Sequence, residues 1–312
     1  MQKCDRCQKQ AKIFLPYGPL WLCESHFLEF FEKRVRKTIN RYKLVKPGEK
    51  IAVGVSGGKD SITALHLLKK IFPKGTEIVG VCIDEGIKGY RDKALKVAKG
   101  HFEELEVDYT VLKMKKELGF SMTEIAKRLH ERKGEQETQG TCSYCGVFRR
   151  KMLNDFAVGE KCDKLATGHN LDDEAQTILM NVLQNDFEKF SRLGPITTGG
   201  KGFVKRIKPL YETPEKEIIA FTQFQGLKVY SAECCPFSWQ AKRNAFRKAL
   251  DEIAEKYPNA KHSAISFQQK ISPFLEKRES QEAMEYCRAC GMPSSGIECA
   301  ACTQLKKLIN KK

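Results

Sequence analysis

Apolar and polar positions alternate along this chain in two different rhythms, and the switches between them mark out its elements. KIAVGVS, residues 50–56, and EIVGVCID, residues 77–84, are short apolar runs rich in β-branched residues, and each predicts a buried strand. SITALHLLKKIF, residues 61–72, and YRDKALKVAKGHFEEL, residues 90–105, repeat their apolar positions at helical spacing. DYTVLKM, residues 108–114, and KLATGH, residues 164–169, add two more strands, each followed by a helical pattern. Such βαβα alternation predicts an α/β fold, a mostly parallel sheet with helices on both faces in a Rossmann-like arrangement. Ahead of it, FLEFFEKRVRKTINRYKLV, residues 27–45, reads as an amphipathic basic helix running into a KPGEK turn. Near residue 280 the pattern stops. Three zones result: 1–47, 48–280 and 281–312, with no internal repeat apart from two unequal cysteine modules at the ends.

Composition narrows the class. The chain has 312 residues, 41% of them hydrophobic, enough for a full core. No apolar run approaches the ~20 residues of a membrane span, and the opening MQKCDRCQKQ lacks the apolar core of a secretory signal. A soluble cytoplasmic protein with no membrane partner is expected. Its 13 cysteines fall mostly in CxxC pairs, which in a reducing compartment points to metal or redox chemistry rather than disulfides. The formal net charge is +16 and it is concentrated: residues 1–47 carry eleven Lys or Arg against four Asp or Glu, and residues 201–250 carry ten against four. Two such surfaces suit a polyanion such as RNA, although solubility or life at high temperature would also favour lysine-rich surfaces.

The terminal cysteines have chelate spacing. Cys4 and Cys7 are followed after fifteen residues by Cys23 and His26, and Cys287, Cys290, Cys299 and Cys302 form CxxC-x8-CxxC. Two knuckles that each offer two soft ligands can close a tetrahedral zinc site, and the metal supplies folding energy that such small segments cannot bury. An iron site or a redox dithiol is the rival reading.

VGVSGGKDS, residues 53–61, sits between a strand and a helix like a nucleotide loop. It departs from a Walker A loop, which needs GxxxxGK followed by a hydroxyl for magnesium. Here Gly54 to Lys59 is one residue short and Asp60 replaces the hydroxyl. Gly54, Gly57 and Gly58 still let backbone N–H groups and the helix N-terminus cradle an anion, with Val55 in the turn, Ser56 and Ser61 as hydroxyl donors and Lys59 as a point charge. Asp60 would repel phosphate unless a cation lay between them, so bound Mg²⁺ is implied.

SGGKDS resembles the PP-loop of the N-type ATP pyrophosphatases, and ATGHNLDDEAQT, residues 166–177, resembles their GHNxDDxxxT motif. Between the two lies GTCSYCGVFRRKML, residues 140–153, whose CxxC opens a basic helix. There the helix dipole and Arg149, Arg150 and Lys151 should lower the thiol pKa values of Cys142 and Cys145. ECCPF, residues 233–237, follows. A central CxxC, a later cysteine before proline and paired terminal zinc modules together are similar to the TtcA/TtuA family, in its tRNA uridine branch.

The resemblance covers nearly the whole chain. It implies the PP-loop pyrophosphatase fold, cleavage of ATP to AMP and pyrophosphate, and a [4Fe-4S] cluster held by Cys142, Cys145 and Cys235. Cys235 is preferred to Cys234 because it directly precedes Pro236. ATP would be bound by residues 54–61 together with Asp84, Arg149, Gly168, His169 and Asp173. Asp60 and Asp173 would hold the metal, with Asp172 as a second candidate. Arg149 stands where the family commonly has a lysine, so charge stabilisation is its implied role.

The implied reaction adenylates the C2 oxygen of a tRNA uridine and replaces it with sulfur. Lys- and Glu-rich composition suits a thermophile and favours the T-loop uridine; the wobble uridine is the alternative, and a non-catalytic zinc-ribbon RNA-binding protein is the rival of a different class. A ubiquitin-like carrier with a C-terminal thiocarboxylate is the implied sulfur partner, and a homodimer is an expectation of the same kind. Among single residues, Asp84 could equally cap a turn, and Cys82 and Cys162 read as core. His66, His101, His130 and His262 read as structural or exposed. Phe237 and Trp239, beside Arg243 and Arg247, read as a packing face that could also stack on RNA.

Overall fold

The computed structural model describes residues 2–72, 75–131, 140–197, 202–231, 235–237, 243–279, 285–294 and 296–309. A hairpin of β1 (Ile13–Leu15) and β2 (Leu20–Leu22) leads into α1 (Glu24–Arg41). The central part alternates as expected: β3 (Lys50–Gly54), α2 (Lys59–Ile71), β4 (Glu77–Asp84), α3 (Arg91–Glu104) and β5 (Tyr109–Lys113). Two short helices, α4 (Met114–Leu118) and α5 (Met122–Glu131), precede the long α6 (Thr141–Gly159). Then come β6 (Lys164–Ala166), α7 (Leu171–Leu183), α8 (Phe187–Ser191), β7 (Ile196–Thr197), β8 (Lys205–Ile207) and α9 (Glu215–Phe224). The chain closes with α10 (Arg243–Lys256), α11 (Ala260–Glu279), the small pair β9 (Glu285–Tyr286) and β10 (Pro293–Ser294), and α12 (Ala300–Ile309).

The strands of the central sheet lie in the order β5-β4-β3-β6-β8-β7. All neighbours are parallel except β7 against β8. Strand faces explain the layering. Ile51 and Val53 of β3 join one apolar cluster with Leu65 and Leu68 of α2, Ala98 and Phe102 of α3, Phe31 of α1 and Phe221 of α9. Ala52, between them, turns the other way, into a cluster with Ala157 of α6 and Leu165 of β6. Helices thus cover both faces, as parallel strands require.

The N-terminal hairpin is part of the first cluster, which runs without a break from Cys4 and Leu22 through Phe31 to Leu65. Phe31 stacks on Phe221 at 4.4 Å, and Arg34 reaches Glu217 of α9 at 2.7 Å and also meets Tyr17. On the opposite side α12 docks Ala301 and Leu308 against Tyr144, Phe148 and Met152 of α6. Among the described residues no helix is long and apolar enough to cross a membrane.

Candidate active site

The chain order reverses between β3 and β6: from β3 the sheet grows one way through β4 and β5, and from β6 the other way through β8. Ligands of open α/β sheets bind at the carboxyl ends of the strands beside such a switch point. The glycine loop after β3 and the GHN segment after β6 both arrive there. The loop after β3 is drawn in by Val55 N–H donating to Val81 O at 2.9 Å. Gly57 turns it at φ +89°, and a Cβ at that position would lie 2.2 Å from the Ala94 carbonyl oxygen. Inside the turn Ser61 Oγ donates to Gly58 O at 3.0 Å and accepts from Ser56 N at 3.0 Å. Two of the expected hydroxyl donors therefore shape the loop.

The second motif meets the first through a glycine. A Cβ on Gly168 would stand 2.7 Å from Ser61 N and 2.8 Å from Asp60 C, so the two segments touch backbone to backbone. Asn170 then caps α7 in a capping box with Asp173, and its side-chain amide donates to Asp60 Oδ1 at 2.9 Å. The other Asp60 oxygen lies 3.0 Å from Lys59 Nζ, which also contacts Glu215 Oε1 at 2.6 Å. Burial pushes the Asp173 carboxyl up to about 6, with Arg243 acting against that rise and Asp60 adding to it. His169 is exposed to the cleft and bonds Thr167 Oγ1 at 2.8 Å, yet the protein crowded around it and the charges of Lys208, Arg243, Arg206 and Arg149 hold it down at about 3. That cation ring is what an anionic ligand needs.

Asp172, the second metal candidate in the sequence, does not face this cleft constellation. Its carboxylate is buried, accepting from Glu215 N at 2.7 Å and pairing with Lys261 Nζ at 2.5 Å, so it fastens α7 to α9 and α11. Asp84 accepts from Gly86 N at 2.9 Å and caps the turn after β4. The neighbouring Glu85 carries the longer-range connection. It is buried between Arg91, at 2.7 Å, and Arg149, at 3.4 Å. Arg91 Nε aims its hydrogen at Ile83 O, 2.6 Å away, so the Glu85 contact is an ion pair without hydrogen-bond geometry, while Arg91 Nη1 donates to Ser56 O at 2.7 Å. Glu85 therefore joins the nucleotide loop to the cysteine helix.

Cys142 and Cys145 lie in the first turn of α6. Cys142 Sγ is 3.5 Å from the carbonyl oxygen of Phe237, two residues beyond Cys235, and Cys145 and Cys235 pack in the same apolar cluster. Cys234 and Trp239 lie outside the described residues. The expected lowering of the Cys145 thiol pKa is reversed: burial pushes it up to about 12, outweighing Arg149. Burial works against the Arg149 charge too, but Glu85 and then Cys145 more than offset it and keep the guanidinium charged. Arg243 and Arg247 turn inward to the site, Arg243 to Thr177 Oγ1 at 2.6 Å and Asp173 at 3.5 Å, Arg247 to Glu215 at 3.3 Å.

At the termini, Cys4, Cys7, Cys23 and His26 bring their ligand atoms within 4.8 Å of one another, as do Cys287, Cys290, Cys299 and Cys302. Cys4 Sγ and Cys23 Sγ each lie 3.4 Å from His26 Nδ1, Cys7 Sγ lies 3.8 Å from Cys23 Sγ, and Cys290 Sγ lies 3.7 Å from Cys299 Sγ. A tetrahedron with metal–sulfur bonds of about 2.3 Å has edges of about 3.8 Å, so both groups fit zinc. Cys82 and Cys162 are buried with their thiols pushed up to about 11, as core residues are. His66 and His101, unpaired in the sequence reading, meet each other.

The sequence profile of the PP-loop domain matches residues 27–254. The chain is 38% identical to a tRNA-5-methyluridine(54) 2-sulfurtransferase of Pyrococcus horikoshii, over 99% of this chain and 96% of that protein. It is 35% identical to the Thermus thermophilus protein of the same name, over 96% and 89%. Among solved structures it resembles the U34-tRNA thiolase NcsA from Methanococcus maripaludis with its [4Fe-4S] cluster, with a TM-score of 0.82 and 32% identity over 100% of this chain and 98% of that one.

Proposed function

The chain belongs to the PP-loop family, in its tRNA 2-thiolation branch, and from that membership we propose that it is an ATP-dependent tRNA 2-sulfurtransferase acting on the T-loop uridine. The T-loop is preferred to the wobble position because the relatives named for uridine 54 reach 38% and 35% identity, against 32% for the U34 thiolase. The observation that carries the chemistry is the Glu85 bridge. It ties Arg91, which holds the nucleotide loop at Ser56, to Arg149 on the helix of Cys142 and Cys145. An activating site and a sulfur site thereby share one cleft.

The C2 oxygen of uracil is a poor leaving group, and transferring AMP to it makes a good one. The turn at Gly57 and the N-terminus of α2 would face the phosphates, the Val55 and Ser56 amides being used to shape the loop, and Lys59 exchanges Glu215 for the departing pyrophosphate. Arg149 neutralises charge developing on the α phosphate. Asp60 and Asp173 are the carboxylates that would hold Mg²⁺; Asn170 touches both, its amide on Asp60 Oδ1 and its capping box on Asp173, which places the pair side by side. His169, neutral, borders the same space without adding charge.

Cys142, Cys145 and Cys235 would hold a [4Fe-4S] cluster, and three protein ligands leave one iron free to carry the sulfur donor. Cys145 and Cys235 pack in one apolar cluster, and Cys142 Sγ reaches the Phe237 carbonyl oxygen two residues beyond Cys235. The terminal modules would hold zinc. A small carrier with a C-terminal thiocarboxylate would supply sulfur, and AMP leaves as sulfur bonds to C2.

Incubation with ATP, a sulfide source and a tRNA transcript should give AMP, pyrophosphate and 2-thiouridine in the T-loop fragment, read by nucleoside mass spectrometry. ADP and phosphate as products would overturn the PP-loop chemistry, and sulfur in the anticodon fragment would overturn the target. Ala at Cys142, Cys145 or Cys235 should abolish thiolation while ATP binding persists.

A further inference from the structure

α2 and α3 run together on the sheet face away from α6, and each contributes a histidine to their contact. His66 Nε2 of α2 lies 2.9 Å from His101 Nδ1 of α3, and Glu104, one turn further along α3, brings a carboxylate oxygen within 3.5 Å of the same Nδ1. All three ligand atoms fall within 4.8 Å of one another. The tautomer of His101 is set from behind: its Nε2 is 2.6 Å from the carbonyl oxygen of Lys228, which can only accept, so the hydrogen is on Nε2 and Nδ1 presents its lone pair forward. A carbonyl behind the ring is the usual orienting contact of a metal-bound histidine. His66 Nε2 then supplies the hydrogen between the two rings. His66 borders an open cleft of about 230 Å³ beside Leu105 and Gln225, with room for water. The ammonium groups nearby are engaged elsewhere, Lys69 on Glu106 O and Lys70 on Glu32.

We propose that His66, His101 and Glu104 form a third metal site that takes one divalent transition ion of the zinc or cobalt type. With metal–nitrogen bonds of about 2.1 Å, two nitrogens stand about 3.0 Å apart on an octahedral ion and about 3.4 Å apart on a tetrahedral one, so the histidine pair at 2.9 Å fits octahedral cobalt or nickel as it stands and must open by about 0.5 Å for tetrahedral zinc. Glu104 is 63% exposed and free to rotate the remaining distance. Two imidazoles and a carboxylate, with no thiolate, select zinc, cobalt or nickel over magnesium and over an iron–sulfur cluster. On binding, the His66 hydrogen moves from Nε2 to Nδ1 through solvent, so neither imidazole loses a net proton. The ion clamps α2 and α3 to the backbone at Lys228. Two residues further on, Tyr230 N–H donates to Gly57 O at 2.9 Å, so the clamp stands beside the turn of the nucleotide loop.

The test uses the full chain with both terminal modules zinc-filled and with Cys142, Cys145 and Cys235 changed to Ala, so that no open thiol of the sulfur site competes for the ion. Titration with Co²⁺ should add one equivalent per chain, with weak visible bands and no sulfur-to-cobalt charge transfer, and should raise the melting temperature as it saturates. His66→Gln should remove that equivalent and the melting shift while melting like the parent without metal. Glu104→Gln should weaken binding by roughly tenfold. No extra equivalent, or retention of binding in His66→Gln, overturns the proposal. A band with sulfur charge transfer also overturns it, because the ion would then sit on cysteines.

Discussion

A single hydrogen atom separates the two motif loops at Gly168, where any side chain would meet the backbone of Asp60 and Ser61. Backbone cannot yield as a flexible side chain does, so Gly168→Ala must push the GHN segment off the start of α2 and carry Asn170 away from Asp60. We expect pyrophosphate release on tRNA to fall at least about a hundredfold, a loss of about 2.7 kcal/mol in transition-state stabilisation, with circular dichroism unchanged. Gly100→Ala, in α3 with nothing within 4 Å of the added carbon, should instead stabilise the fold by roughly 0.5–1 kcal/mol, seen as a higher denaturation midpoint. Equal effects at the two positions would refute the close-approach argument. Residues like Gly168 were legible because their motif is contiguous. Glu85, Glu215 and Lys208 were not, because their roles arise only where the ends of β4 and β8 and the start of α9 converge. Asp84, which its strand-end position marks as either a nucleotide contact or a turn cap, caps the turn at Gly86, while the adjacent Glu85, which no local rule singles out, reaches Arg149.

Elements show the same division between local and distant causes. β4 spans the residues read from its apolar run, and α2 starts two residues before the expected Ser61 because Lys59 and Asp60 already belong to the helix, with Gly58 as its extended N-cap. The antiparallel edge strand β7, only two residues long, had no periodicity to read. α5 offers a test of local stabilisation. Ser121 N–H and Oγ–H both donate to Glu124 Oε2 at 2.8 Å, and Ser121 Oγ accepts from Glu124 N at 3.2 Å, a capping box that Lys115 flanks at 2.8 Å. The Lys115 ammonium, then Ser121, hold the Glu124 carboxyl down at about 2, below its ordinary 4.5. A depressed acid stabilises the fold above its unfolded pKa and loses that contribution as pH falls from about 4.5 towards 2. Glu124→Gln should therefore melt below the parent at pH 7, and the gap should narrow steadily below pH 4.5; a gap independent of pH would assign the effect to packing. α12 offers a second test. It carries Cys302 and packs on α6 beside Tyr144 and Phe148, while Arg128 of α5 donates to Leu308 O at 2.6 Å. Emptying the C-terminal module by Cys287→Ser should speed amide exchange in α6 around those residues, and unchanged exchange would uncouple the module from the cysteine helix.

At the scale of the whole molecule, the excess of 55 Lys and Arg over 39 Asp and Glu acts through where it lies. On α1 the buried residues Phe27, Phe31, Val35, Thr38 and Ile39 form one stripe, and Lys33, Arg36 and Lys37 stand exposed on the other, at i, i+3 and i+4. The helix therefore fastens its apolar side into the core through Phe31 on Phe221 and holds a row of cations towards solvent at fixed spacing. A flexible tail of equal charge would lose entropy on meeting a phosphate chain, whereas this row is already ordered. Each phosphate it neutralises releases counterions, and the logarithm of tRNA affinity should fall linearly with the logarithm of salt, by about 0.7–0.9 per contact. Changing Lys33, Arg36 and Lys37 together to Ala should flatten that slope by about 2–3 and weaken binding most at low salt. Binding by Cys142→Ala should keep the parent slope, because that thiol contributes no surface charge. Filter binding of labelled tRNA between 50 and 300 mM salt, on the order of the range where such effects are largest, separates the cases. A parental slope in the triple variant would mean that the tRNA never meets α1, and the phosphate contacts would then have to come from the residues around Arg206, Lys208 and Arg243 that ring His169.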